Sequence, residues 1–309
     1  MKKITMTMND NSVEEVLEEF LEEKRCAGLS PKTVDDYERF LERIFRNFDT
    51  RRKIGEVSKR EFEQLYLSVG DGKISPRTTE TYGVALRTFL NWASDEDYCD
   101  IRIKVKRAQV PPKETYTDEE LELLLKKPNL KKCDFPEYRS WVIVNFLMNC
   151  GARAGTIMEL KIKDVDLEEG LCSYSHTKNK RAQIIPLCTP MRKILKEYLR
   201  IRKGSENDYL FPSQEDTQLT YTALRCSIQR YNNRRGVERT SIHAFRHTFA
   251  KKYLLDMNGN AFKLQKLLGH TTLEMTRHYC NIYDKDLLKD FDDASPLTCF
   301  AQKERLKIQ

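Results

Sequence analysis

In the stretch SVEEVLEEFLEEKRCAGL, residues 12–29, apolar residues recur at three- and four-residue spacing. Val13, Val16, Leu17, Phe20 and Leu21 fall on one face of a helix, and six glutamates fill the other positions. That acidic face is either solvated or packed on a basic surface, and it would repel a phosphate backbone. Two later segments repeat one pattern with a shift of 45 residues: LSPKTVDDYERFLERIF from Leu29 and ISPRTTETYGVALRTFL from Ile74. Each offers Ser as N-cap, Pro at the first helical position, then Lys-Thr or Arg-Thr in the first turn. Such tips combine free backbone N–H groups with a side-chain cation, which suits a phosphate, although Ser-Pro is also simply a good helix start. SKREFEQLYLSV supplies another amphipathic helix between them.

The helical period stops after NWASDEDY. CDIRIKVKRAQVPPKETY, residues 99–116, alternates basic with small apolar residues and ends in Pro111-Pro112, which stiffen the chain, so residues 101–116 read as a linker. Lys104, Lys106, Arg107 and Lys113 would let it lie along a polyanion or sit in solvent. Beyond it, Thr117 and Glu120 form a capping box, and a helix follows through YRSWVIVNFLMNC to Gly151. A short helix ends near Leu160. VDLEEGLCSYS, turning at Glu-Gly, and RAQIIPL, ended by Pro186, read as short strands. From PMRKILKEYLRIR onward the pattern is helical again. The fold expected is mainly α. It comprises a helical domain over residues 1–100, an α-rich domain with a small antiparallel sheet over 117–290, and a tail over 291–309.

Composition narrows the possibilities. Among 309 residues, 39% are hydrophobic and 33% charged, as in a soluble globular protein. No apolar run approaches the ~20 residues that span a bilayer, and the first residues lack a secretory signal, so a cytoplasmic location is expected. Nine cysteines without any C-x-x-C spacing argue against a disulfide framework or a zinc site. No Gly-rich phosphate loop appears, which leaves nucleotide hydrolysis without machinery. Residues 1–110 carry 20 Lys+Arg against 21 Asp+Glu, and residues 111–309 carry 34 against 26. The positive excess of the second part suits a polyanionic partner.

The residues with chemical potential lie near the end of the chain. His243 and Arg246 are three apart in a segment of helical period and share a face, while Phe245, Phe249 and Leu254 serve the core and His247 points elsewhere. His270 and Tyr279 are nine apart, half a turn out of phase on one unbroken helix. Gly269 and a capping box Thr271-x-x-Glu274 resolve this by leaving His270 in the turn before a helix and Tyr279 at its end.

GARAGTIMELKIKDVD, TKNKRAQIIPL, HAFRHTFAKKY and LLGHTTLEMTRHY resemble, in order and spacing, the catalytic boxes of the tyrosine site-specific recombinases, the integrase family of phages and transposons. The resemblance spans roughly residues 12–290. It implies that the first domain is a core-binding domain clamping DNA and the second a catalytic domain. On this resemblance Arg153, His243, Arg246 and His270 surround the phosphate, Tyr279 is the nucleophile, and Lys178 is the lysine on the sheet's turn, with Lys180 and Arg181 as competitors. Thr156 departs from the family, which commonly has a carboxylate three residues after the first arginine.

The chemistry implied is in-line attack on a phosphodiester. Two guanidiniums hold the non-bridging oxygens, His243 acts as base, His270 hydrogen-bonds the phosphate and Lys178 protonates the departing 5′-oxygen. Neither metal, ATP nor any cofactor is called for. The partners implied are double-stranded DNA with inverted-repeat core sites and a tetramer of the chain itself. In that tetramer the tail, with Leu287, Leu288, Phe291, Leu297 and Phe300, would bind a neighbour. Accessory DNA-bending or directionality proteins complete the list. Lys32, Thr33, Arg77, Thr78 and Arg87 in the first domain, Lys104 and Lys106 in the linker, and Lys180 and Arg181 are the candidate DNA contacts. Of the biological settings, integration or excision of a mobile element is expected. Chromosome-dimer resolution, a topoisomerase that reseals its own strand, and a catalytically inactive DNA-binding regulator are the alternatives.

Overall fold

Serine side chains set where the first helices begin. In the computed structural model, which describes residues 10–69, 73–109, 114–174 and 183–277, Ser12, Ser30, Ser58 and Ser75 each accept a backbone N–H from three residues on. They open α1 (Val13–Cys26), α2 (Pro31–Phe45), α3 (Lys59–Ser68) and α4 (Pro76–Asp95). These helices belong to the first of two compact units, Met1–Pro112 and Lys113–Gln309. Phe20 is fully buried in the first unit, met edge-on by Tyr37 at 5.6 Å and Phe89 at 5.5 Å between ring centroids. The glutamates of α1 serve this unit itself: Glu19 accepts from the Tyr98 hydroxyl and Glu23 from the Trp92 indole N–H. The acidic face is thus partly a set of internal ties.

The stretch read as a linker is anchored at both ends. Cys99 and Ile103 are buried in the first unit's core, with Ile101 and Val105 packed against it, while Arg102, Lys104, Lys106 and Arg107 stay exposed. The alternation of basic and apolar residues is therefore the signature of an extended segment laid on α4, apolar side inward. The Ala108 N–H donates to Glu80 of α4 at 3.2 Å. Gly83 of α4 permits the close approach, since a Cβ there would lie 2.8 Å from Val105 Cγ1 and 3.0 Å from Tyr66 Cε2. At the other end Tyr116 is buried in the second unit, its ring stacked on Phe245 at 4.2 Å.

The second unit opens with α5 (Asp118–Leu125), whose capping box is formed by Thr117 and Glu120. α6 (Phe135–Cys150) is apolar on nearly every face and runs through the core, as an all-round hydrophobic helix must. After α7 (Ala154–Glu159) come β1 (Val165–Asp166), β2 (Leu171–Tyr174) and β3 (Gln183–Pro186), an antiparallel meander in the order β1-β2-β3. Cys172, Tyr174 and Ile185 face inward and Ile184 faces out. Then follow α8 (Thr189–Arg202), α9 (Tyr221–Asn233), α10 (Ile242–Lys251) with a π-helical continuation over Lys252–Asp256, α11 (Ala261–Leu268) and α12 (Leu273–Arg277). Among the described residues no helix is long and apolar enough to cross a membrane.

Replacing Gly83 by Ala gains about 1 kcal/mol of helix propensity but forces Val105 and Tyr66 apart at a cost of about 1–3 kcal/mol. Net destabilisation is expected in urea melts of Gly83→Ala. It should be relieved when Val105→Ala is added, which isolates the contact between α4 and the extended segment.

Candidate active site

Gly151 and Gly269, both at φ +61°, end α6 and α11 in the left-handed conformation that glycine adopts without strain. Helix ends leave carbonyls without intrahelical partners, and the side chain of Arg246 enters between these two ends. Its Nη1 donates to Gly151 O at 2.7 Å, and its Nη2 donates to Leu268 O at 2.8 Å and to His270 Nε2 at 2.9 Å. Arg246 is only 5% exposed. A buried guanidinium is tolerable here because it meets the negative ends of two helix dipoles and charge-assisted acceptors. Arg153, half-buried at the N-cap position of α7, makes a long 3.5 Å contact from Nη2 to Gly269 O. Three of the expected residues, Arg153, Arg246 and His270, thus meet around one helix terminus.

His270 lies in the turn between α11 and α12. A guanidinium offers no lone pair, so His270 Nε2 must accept from Arg246, which leaves Nδ1 as the N–H that donates to Thr276 Oγ1 at 2.8 Å. Burial, then the charges of Arg246 and Arg153, lower the imidazole's pKa to about 4. The ring is a neutral Nδ1–H tautomer. In this state its N–H donor faces buried Thr276. The helix after it begins at Leu273.

His243 is exposed in the first turn of α10, three residues before Arg246. The approach to that turn is braced by Tyr116. Its hydroxyl lies 3.2 Å from Arg239 O and 3.3 Å from Ser241 O, and its backbone N–H donates to Thr248 Oγ1 at 2.9 Å. His247 is buried, as a packing residue would be, and Thr156 is half-buried in α7. Lys178, Lys180, Arg181 and Tyr279 lie outside the described residues, as does the tail.

In the first unit, Lys32, Thr33, Arg77 and Thr78 are exposed at the tips of α2 and α4, and Arg87 is half-buried. The Thr33 and Thr78 hydroxyls are bonded to the capping Ser30 and Ser75 at 2.8 Å, and Arg77 pairs with Glu80 at 2.8 Å. These tips are partly engaged in their own caps. Among the described residues no three His, Cys, Asp or Glu side chains lie together so as to hold a metal ion.

Two residues important to this geometry carry no sequence signal. Thr276 fixes the tautomer of His270, and Gln183, the first residue of β3, donates from Nε2 to Lys266 O and Leu267 O, both at 2.7 Å.

The family model described as the phage integrase family matches residues 114–286. The chain is 28% identical over 290 residues to a tyrosine recombinase XerC of Thermodesulfovibrio yellowstonii, covering 88% of this chain and 92% of that protein. To a tyrosine recombinase XerA of Saccharolobus solfataricus it is 26% identical over 243 residues, covering 79% and 76%. Its fold is similar to that of the Tn1549 transposon integrase in complex with a circular intermediate DNA, with a TM-score of 0.75 and 18% identity over 90% of this chain and 99% of that one. It is also similar to the XerH recombinase bound to a palindromic difH substrate, with a TM-score of 0.71 and 20% identity over 93% and 91%. The mainly α architecture with its three-stranded sheet agrees with the one expected from the sequence.

The state of His270 makes a prediction about stability. Its folded pKa of about 4 lies below the ordinary histidine value of 6.5, so the unfolded chain binds more protons between those values. The associated stability is complete above the unfolded value and is lost as pH falls toward the folded one, by up to about 3 kcal/mol. Melting of the wild type should therefore fall more steeply with acidification than that of His270→Gln, whose amide accepts from Arg246 without titrating. Parallel curves would remove His270 as the source.

Proposed function

Given that the chain belongs to the phage integrase family and is a tyrosine recombinase, an enzyme that cleaves and rejoins DNA, we propose that it recombines two short duplex sites through a phosphotyrosyl intermediate on Tyr279. The observation that carries this reading is the convergence of Arg153, Arg246 and His270 at the end of α11.

A phosphodiester under in-line attack gathers negative charge on its non-bridging oxygens, and guanidiniums answer it with forked, permanently charged donors. In the proposed cycle the Tyr279 oxygen bonds to phosphorus as the bond to the 5′-oxygen breaks. The phenolic proton, with an ordinary pKa of ~10, passes to a base while the cationic surroundings favour the phenolate. Exposed His243 is that base. Lys178 gives a proton to the departing 5′-oxygen. His270, neutral and accepting from Arg246, orients that arginine rather than contacting phosphate. Attack on the phosphotyrosine by the 5′-hydroxyl of the other duplex restores the tyrosine and completes exchange with no net change in the number of phosphodiester bonds, hence without ATP. Two sites of two half-sites each call for four copies of the chain.

The biological setting proposed is integration or excision of a mobile element, a reading supported by the resemblance in fold to the transposon integrase. The names of the curated relatives, XerC and XerA, favour a second reading, chromosome-dimer resolution. Sequencing the genomic fragments trapped covalently by the protein separates the two. Fragments bordering its own coding region support the first, and a single distant chromosomal locus supports the second.

On a nicked substrate that traps the covalent adduct, Tyr279→Phe should give no adduct. Arg246→Lys should slow its formation by about 10²–10³-fold. Chelators of divalent metals should leave the rate unchanged. Adduct formation by Tyr279→Phe would overturn the assignment of the nucleophile.

A further inference from the structure

Four consecutive carbonyls at the end of α11 are taken by three side chains from separate parts of the second unit. Gln183 Nε2 donates to Lys266 O and Leu267 O, Arg246 donates to Leu268 O, and Arg153 reaches Gly269 O. We infer that Gln183 is a positioning residue for strand cleavage: its amide fixes the first two carbonyls of this series and so presents the next two to the arginines. The inference rests on the reading of Arg153 and Arg246 as the groups that hold the scissile phosphate.

A carboxamide suits this role. One nitrogen carries two N–H donors without charge, so both carbonyls are met while no further cation competes with the guanidiniums, and a carboxylate would offer the helix end no donor at all. The side-chain oxygen of Gln183 then lies over Gly269, where a Cβ would stand 2.6 Å from it. Gly269 is needed both for its left-handed backbone and for this contact. The grip extends to the other helix end as well. Tyr174 is the cross-strand partner of Gln183, and its hydroxyl donates to Cys150 Sγ in the last turn of α6 at 3.1 Å. One end of the β2–β3 pair is therefore fastened to both helix termini that enclose Arg246, so a displacement of the sheet edge shifts the carbonyls that aim the guanidinium.

The test uses the full chain and a nicked duplex bearing its cleavage site, recovered by adduct trapping. A second duplex has a methylphosphonate at the scissile position, which removes one negative charge the guanidiniums would hold. At saturating DNA, Gln183→Ala should form adduct about 10–100-fold more slowly than wild type, with DNA affinity changed by less than about twofold. That penalty should shrink on the methylphosphonate duplex, as should the penalty of Arg246→Lys. Gln183→Glu should be slower than Gln183→Ala, because it sets a carboxylate against carbonyl oxygens. A Gln183→Ala rate within about twofold of wild type would overturn the inference. So would a penalty undiminished on methylphosphonate DNA while that of Arg246→Lys shrinks, the pattern of plain damage to the fold. If the Arg246→Lys penalty also fails to shrink, the reading of the arginines as phosphate holders falls, and this inference with it.

Discussion

A single buried cation between two helix ends organises the second unit. Arg246 bonds the C-cap carbonyl of α6 and the last carbonyl of α11, two acceptors brought within reach of one guanidinium. Both helices must stop abruptly for this to happen, and each does so at a glycine in the left-handed region. At Gly151 a Cβ would come within 2.6 Å of Phe249 Cδ1, so glycine is required by space as well as by backbone angle. Without the guanidinium, Gly151 O and Leu268 O would lose a charge-assisted partner in a buried setting, at a cost of about 1–3 kcal/mol each. Arg246 is thus a structural element before it is a chemical one, and the same holds for the two turns it joins.

The histidine follows from the arginine. An imidazole beside two guanidiniums and out of water gains little from a second proton, so it stays neutral and turns its lone pair toward the nearest donor. Thr276 on α12 then holds the opposite nitrogen. The arrangement differs from the simplest reading of a histidine in a phosphate site, in which the ring supplies a positive hydrogen-bond donor. Here the positive charge resides on the arginines, and the ring accepts a hydrogen bond from Arg246.

Much of this was legible in the sequence because it is local. Ser12, Ser30, Ser75 and Thr117 announce helix starts through side chains that bond within the next turn, and Gly151 and Gly269 announce helix ends. The apolar period of α1 gave its buried face correctly, but the fate of its glutamates depended on Trp92 and Tyr98, some seventy residues away, which no local pattern encodes. What the linker packs on was hidden for a related reason. Alternating basic and apolar residues suit a segment lying along a polyanion or in solvent, but alternation is also what a half-buried extended chain requires, and Gly83 is the silent clue to what it packs on. Gln183 was invisible because its partners are backbone carbonyls eighty residues on, and a carbonyl has no residue identity to recognise.

The bonds of Arg246 show how a buried guanidinium is held in one plane. Among the described residues, Arg246 spends three of its five N–H donors on the scaffold and His270, which fixes its plane. A donor fixed in advance need not reorganise when charge develops, which is where an electrostatic site gains most of its effect. Arg153 is less buried, and its contact with Gly269 O is long. Lysine, a point charge without a planar fork, could not bridge two helix ends in one plane, which explains in physical terms why a guanidinium occupies the position of Arg246.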